Sequence, residues 1–303
     1  MSDYSVEQQN ELITINTLED IRSRPAFRED IDPKQHKIAK LIGDYTFKDQ
    51  VPCGLNDCHT PHNKGFLART EDGLETIIGH VCGRKWGGES FVHHKRSFTQ
   101  RKEYQQHSQL LNSIMSKRNE IEARIKEISE RKFGAKWLIG SMKNFREICP
   151  DAVYGELSKR AIRGEPNVVE HRERSQEDIN RLHAMYPNTS RESHRYEEVR
   201  IGIFDGLEIF KSSIHDLLIL KVSNVLRELC QTDITSLKAS ERRKYVEWAN
   251  QIENRFNEAE ELLASGLRFF GESNIKLLHH LSKDKSNPMK KLKWNLEAGT
   301  GKN

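Results

Sequence analysis

Apolar residues follow a helical rhythm over most of this chain. Between Ser97 and Lys132, Tyr104, Leu111, Ile114, Ile121, Ile125 and Ile128 fall on alternating three- and four-residue steps, with His107 and Arg118 at the two other seam positions. That period predicts a coiled-coil-like helix over 97–133, and a long helix of a globular bundle would carry the same pattern. Lys117, Glu120, Glu122, Arg124, Lys126 and Glu127 suit its solvated faces. Tyr196–Leu229 reads as a second long amphipathic helix, with Val199, Ile203, Leu207, Phe210, Ile214, Leu217 and Val225 on one face. Ser240–Phe270 reads as a third, through Tyr245, Trp248, Ile252, Phe256, Ala259, Leu263 and Leu267. The short connection between them predicts an antiparallel helical hairpin over 196–271.

Elsewhere the rhythm is broken. Cys149-Pro150-Asp151 separates two short helices, Lys136–Ile148 and Asp151–Arg163, which make a helical pair over 134–164. The polar stretch 165–195 reads as a linker holding one helix, Gln176–Met185. Residues 1–50 read as an N-terminal arm with short helices around Thr17–Arg24 and Pro33–Ile42, and residues 272–303 as a basic tail. Only Phe66–Thr70 and Leu74–Ile78, joined by Glu71-Asp72-Gly73, read as a β-hairpin. The fold class expected is therefore mainly α, with a small β-hairpin module near the N-terminus followed by long amphipathic helices in a bundle or coiled coil.

That hairpin lies inside the chemically richest window. Three of the five cysteines (Cys53, Cys58, Cys82) and three histidines (His59, His62, His80) fall within thirty residues. Thiolate and imidazole at this density are the ligands of a tetrahedral Zn²⁺, and two glycine-bearing turns bracket them. Cys53, Cys58 and Cys82 supply three positions. His62 keeps the spacing that lets the chain return to the metal; His80 would have to share a turn with Cys82, and His59 directly follows a ligand. Residues 51–90 carry few large apolar side chains (Phe66, Leu67, Leu74, Ile77, Ile78 and Trp86), so a unit of that size is expected to need a metal staple. Neither the His-x-Glu and Cys-x-x-Cys pattern of a zinc deaminase nor a His-Glu-x-x-His motif is present, so the zinc is expected to be structural and the protein not an enzyme.

Two glycine-bearing turns flanking a hairpin that leads into a helix resemble the treble-clef or zinc-knuckle class, and Gly79-His80-Val81-Cys82-Gly83 resembles a second knuckle of small bacterial zinc-binding domains. The resemblance covers 51–90 and implies a metal-binding fold. It carries no ligand with it, because this class serves nucleic-acid and protein partners alike.

Charge adds a direction. The net value of +4 conceals six bases (Arg84, Lys85, Lys95, Arg96, Arg101, Lys102) against one acid, Glu89, directly after Cys82. They adjoin His93 and His94 and are interleaved with Trp86, Phe91 and Phe98; packing is the expected role of Trp86. A second basic concentration, seven lysines against two acids, begins at Lys276. Bases clustered on a module spanning 51–96 point to a phosphate backbone of a type left open, DNA or RNA. The expected function is a non-enzymatic zinc-finger nucleic-acid-binding component of a larger assembly. The alternative is a helical adaptor or scaffold that binds proteins through its coiled coil and zinc module, and homo-oligomers through the long helices fit either reading. No run approaches eighteen apolar residues and the first residues lack a signal-peptide pattern. No membrane partner is expected, and the location expected is cytoplasmic, or nuclear in a eukaryote.

Overall fold

A computed structural model describes residues 12–281. The chain divides into two compact units, Met1–Asn112 with Leu237–Arg243, and Ser113–Ser236 with Lys244–Asn303.

The first unit is organised by a three-stranded antiparallel sheet of order β1-β2-β3: β1 (Ile38–Val51), β2 (His62–Thr70) and β3 (Glu75–Gly79). The expected hairpin is present, running from Gly65 opposite Gly79 to Arg69 opposite Glu75. Its strands are apolar in succession because both faces of the sheet are covered. Leu41, Phe66, Ala68 and Ile78 pack with Phe91 and Phe98 of the following helix, α2 (His80–Ser116), beside Cys53 and Cys82. Ile42, Tyr45, Leu67 and Ile77 pack on the opposite side with Ile15, Ile21 and Phe27.

Residues 12–50 are built into this unit, and the short helix expected around Thr17–Arg24 is present. Thr17 closes a capping box with Asp20 at the start of α1 (Leu18–Arg22), which buries Ile21. The helix expected over Pro33–Ile42 is replaced by a turn and then β1. Asp32 accepts the amide of Lys34 through its side chain and those of Gln35 and His36 through its carbonyl, which completes one turn only. The turn is held by Trp86, whose indole donates to the carbonyls of Pro33 and His36.

The helix expected over 97–133 starts earlier and is interrupted. α2 kinks at Gly88, where φ is 54°, and ends at Ser116; α3 (Arg118–Glu130) begins after Lys117. Leu111 is buried in the first unit, and Ile125 and Ile128 in the second.

In the second unit, α4 (Ala135–Ile148) and α5 (Asp151–Arg163) form the expected pair. The segment 165–195 is structured: β4 (Asn167–Glu173) is followed by α6 (Gln176–Met185), which is capped by Ser175. Of the long helix expected over Tyr196–Leu229 only the second half forms, from Ile214 onward; the first half is a strand. Val199, Ile201 and Ile203 alternate on β5 (Tyr196–Ile203), which pairs antiparallel with β4. Beyond it come a 3₁₀ turn (Leu207–Phe210), a π-helical run (Asp216–Ser223) and α7 (Asn224–Gln231). The Lys221 carbonyl in the π-helical run accepts from the Trp248 indole at 2.7 Å and from Arg255. Those donors belong to α8 (Ala239–Asn250) and α9 (Ile252–Phe269), which divide the expected helix over Ser240–Phe270 at Gln251.

Phe145, Tyr154, Phe210, Phe269 and Phe270 meet largely edge to face at the centre of this unit. The Asn274 amide donates to the Asp205, Arg268 and Phe269 carbonyls, closing the end of α9. Asn274 lies on α10 (Glu272–Leu281), so the expected basic tail begins as a helix; its lysines from Lys283 onward lie outside the described residues.

Candidate metal centre

Cys53 follows the end of β1, and the loop after it folds back on itself through backbone hydrogen bonds. The Cys53 amide donates to the Thr60 carbonyl at 3.2 Å and the Cys58 amide to the Leu55 carbonyl at 3.1 Å. Gly54 fastens this loop to the sheet, donating to the Ile77 carbonyl and accepting from the Thr76 hydroxyl at 3.1 Å. A side chain there would run into that hydroxyl, 2.1 Å from the Cβ position. Cys82 arrives from the other direction, in the first turn of α2.

The three Sγ atoms lie within 4.8 Å of one another, with Cys58 and Cys82 3.1 Å apart. Sulfurs on a tetrahedral Zn²⁺ at about 2.3 Å stand roughly 3.8 Å apart, so small rotamer adjustments suit this group to one ion. The donor chemistry fits as well: among the described residues no carboxylate joins the group, and three soft sulfurs select zinc, copper(I) or iron over magnesium or calcium.

The environment grades the thiols. Burial, reinforced by the neighbouring Cys82 and Cys58, pushes the Cys53 thiol up to about 12, although the Leu55 amide opposes this. Burial also raises Cys82, as does Cys58. Desolvation would raise Cys58 too, but hydrogen bonds from the Thr60 hydroxyl and amide and from the two other thiols outweigh it and bring it to about 7. Cys58 is the thiol that ionises first, and it is only half-buried.

None of the three candidate histidines joins the thiol group. His62 is the one tied to its framework. Its Nδ1 lies 3.1 Å from the same Thr60 carbonyl that receives the Cys53 amide. Its ring lies against Gly79, where a Cβ would come within 3.2–3.4 Å of it. Its Nε2 stands 2.6 Å from the Tyr45 hydroxyl. Tyr45 is buried on β1, and its pKa is raised by burial and then by the Cys53 and Cys82 thiolates. His80 instead meets the Phe66 ring edge on and lies 3.4 Å from Lys95 Nζ, while His59 faces Asp30 at 3.3 Å. The sequence carries no local sign of Tyr45, which reaches His62 only across the β1–β2 sheet.

The six bases after Cys82 separate into two sets. Arg101 is buried and donates to the Leu41 carbonyl at 2.8 Å; Lys102 reaches both oxygens of Asp44 at 2.7 and 2.6 Å. Arg84, Lys85, Lys95 and Arg96 are exposed on α2 and form no ion pair among the described residues. Phe91 and Phe98 are buried, and Trp86 is held by its two carbonyls, so these rings pack the module. Among the described residues, no helix is long and apolar enough to cross a membrane. No family model, no curated protein and no solved structure matches this chain.

Proposed function

We propose that the first unit is a zinc-bearing, non-enzymatic module that binds nucleic acid as part of a larger assembly. Cys53, Cys58 and Cys82 hold the ion with His62 as fourth ligand, and Arg84, Lys85, Lys95 and Arg96 meet phosphates. One observation carries this reading: a three-thiol group sits at the start of the helix that presents four exposed bases, none of them in an ion pair among the described residues. Charges fixed on a packed helix lose less entropy on binding than charges on a loose segment. With Trp86, Phe91 and Phe98 engaged in packing, backbone contacts outweigh base stacking in this picture.

Elemental analysis of the purified protein should give about one zinc per chain, as a closed four-ligand site requires. The absorbance ratio before and after a high-salt wash should reveal retained nucleic acid that salt removes. The adaptor reading draws on exposed apolar side chains in the second unit, among them Ile139, Ile148 and Ile162. Binding of a protein partner that hardly responds to salt, with no nucleic acid retained, would favour it.

A further inference from the structure

We propose that Tyr45 is a positioning residue of the metal centre, its hydroxyl competing with the ion for one lone pair on His62. The inference rests on the metal reading above and adds a control element to the same site.

The Thr60 carbonyl has no proton to give, so at 3.1 Å it is an acceptor and His62 Nδ1 carries the hydrogen. In the neutral ring Nε2 is then the bare nitrogen, and the Tyr45 hydroxyl at 2.6 Å is its donor. A phenol carries its proton at neutral pH, so the hydroxyl is free to donate. Its ring is fixed by stacking on Phe47, with centroids 4.6 Å apart and planes 15° from parallel.

This is half of a metal-ligand arrangement. Ligating histidines regularly donate their second ring N–H to a backbone carbonyl, which orients the imidazole and fixes its tautomer. Thr60 provides that carbonyl, and because it also receives the Cys53 amide, the imidazole is referenced to the cysteine loop itself. The other half is contested. A zinc–nitrogen bond of about 2.0–2.1 Å must lie along the Nε2 lone pair, the direction Tyr45 fills. The ion and the hydroxyl cannot both use it. Tyr45 therefore sets whether the centre closes with His62 or stays a three-thiolate site with an exchangeable fourth ligand.

The test uses the reduced full-length chain and Co²⁺, whose visible spectrum reports ligand type and coordination number. Wild type, Tyr45→Phe, His62→Ala and the double variant are titrated, with near-ultraviolet circular dichroism without metal as the fold control. Phenylalanine keeps the ring stacked on Phe47 and removes only the hydroxyl. Tyr45→Phe should bind Co²⁺ about fivefold more tightly, the net worth of one neutral hydrogen bond. His62→Ala should bind more weakly than wild type, and in that background Tyr45→Phe should change nothing. Unchanged or weaker binding by Tyr45→Phe, or a gain that persists without His62, overturns the proposal. If His62→Ala matches wild type, the competition falls while a three-thiolate metal site stands. If wild type takes up no Co²⁺, the metal reading fails together with it.

Discussion

Replacing Arg84, Lys85, Lys95 and Arg96 together by glutamine puts the proposed phosphate contacts to a quantitative test, because the same helix supplies a control. Each phosphate contact on duplex DNA contributes about 0.9 to the slope of log affinity against log salt, so losing four should flatten it by about 3.6. Between 50 and 200 mM salt, that part of the slope corresponds to a change in affinity of roughly 150-fold. Lys102 is the control. Its ammonium is already paired with both oxygens of Asp44, so Lys102→Gln should leave the slope within about one contact of wild type. Arg101 is unsuitable, since its buried guanidinium holds the Leu41 carbonyl and its loss would test the fold. The assay is fluorescence anisotropy of a short labelled duplex over a series of salt concentrations. A four-site variant that keeps the wild-type slope, or a Lys102 variant that flattens it equally, refutes the assignment of binding to this face.

Two further outcomes follow from the first unit. Cys82→Ser, or chelation, should abolish metal binding and raise amide exchange in residues 54–60 and the first turn of α2, while the β2–β3 amides stay protected; loss of protection throughout the sheet would make the metal a true staple. Burial alone would raise Glu75, but hydrogen bonds from Arg24 (2.5 and 3.0 Å) and Arg69 (3.2 and 2.8 Å) outweigh it and hold the carboxyl below the ordinary glutamate range. A depressed folded-state pKa gives stability that is complete above the unfolded value and lost as pH falls through the folded one. Glu75→Gln should therefore cost about 3 kcal/mol at neutral pH, the lower end for a broken buried pair because both arginines remain partly exposed. Denaturant unfolding followed by β3 amide exchange should show that gap narrowing once acid protonates the wild-type carboxylate, and a gap independent of pH would count against the reasoning.

What the sequence reveals here depends on how far apart the determining residues lie. The β2–β3 hairpin was legible because its turn is local, Glu71-Asp72-Gly73, with Gly73 at a φ of 89°. Gln176–Met185 was legible to the residue because Tyr186-Pro187-Asn188 stops it. β5 was not: Val199 and Ile203 are four apart and imitate a helix face, and the pairing that decides otherwise comes from β4 some thirty residues earlier. The cysteine group followed from ligand density, whereas the setting of His62 depends on Tyr45, which spacing along the loop cannot see. Charge counting likewise found six bases but not that Arg101 turns inward and Lys102 is paired.

A metal staple is expected from the few large apolar residues of 51–90, and the packing around the sheet bears on how much such an ion would have to hold. Counting apolar residues over 51–90 omitted β1 and the segment carrying Ile15, Ile21 and Phe27, which cover one face of the sheet. With those included, Leu41, Ile42, Leu67 and Ile78 are completely buried, and side chains of this kind contribute about 1.5–3 kcal/mol each on leaving water. Such a sheet has a packed core of its own, whether or not an ion joins it. What packing leaves exposed is the tip of the cysteine loop, since Cys58 is only half-buried, whereas the first two turns of α2, set off from the remainder by Gly88, are held by the Trp86 indole and the buried Cys82. Arg84 and Lys85 lie before that kink and Lys95 and Arg96 after it, where Phe91 and Phe98 anchor the helix in the core. An ion joining Cys53 and Cys58 to Cys82 would tie the half-exposed loop to that short first segment and leave the second untouched. On this reading the metal ties the cysteine loop to the segment that carries Arg84 and Lys85, so that its contribution lies in the geometry beside the binding face.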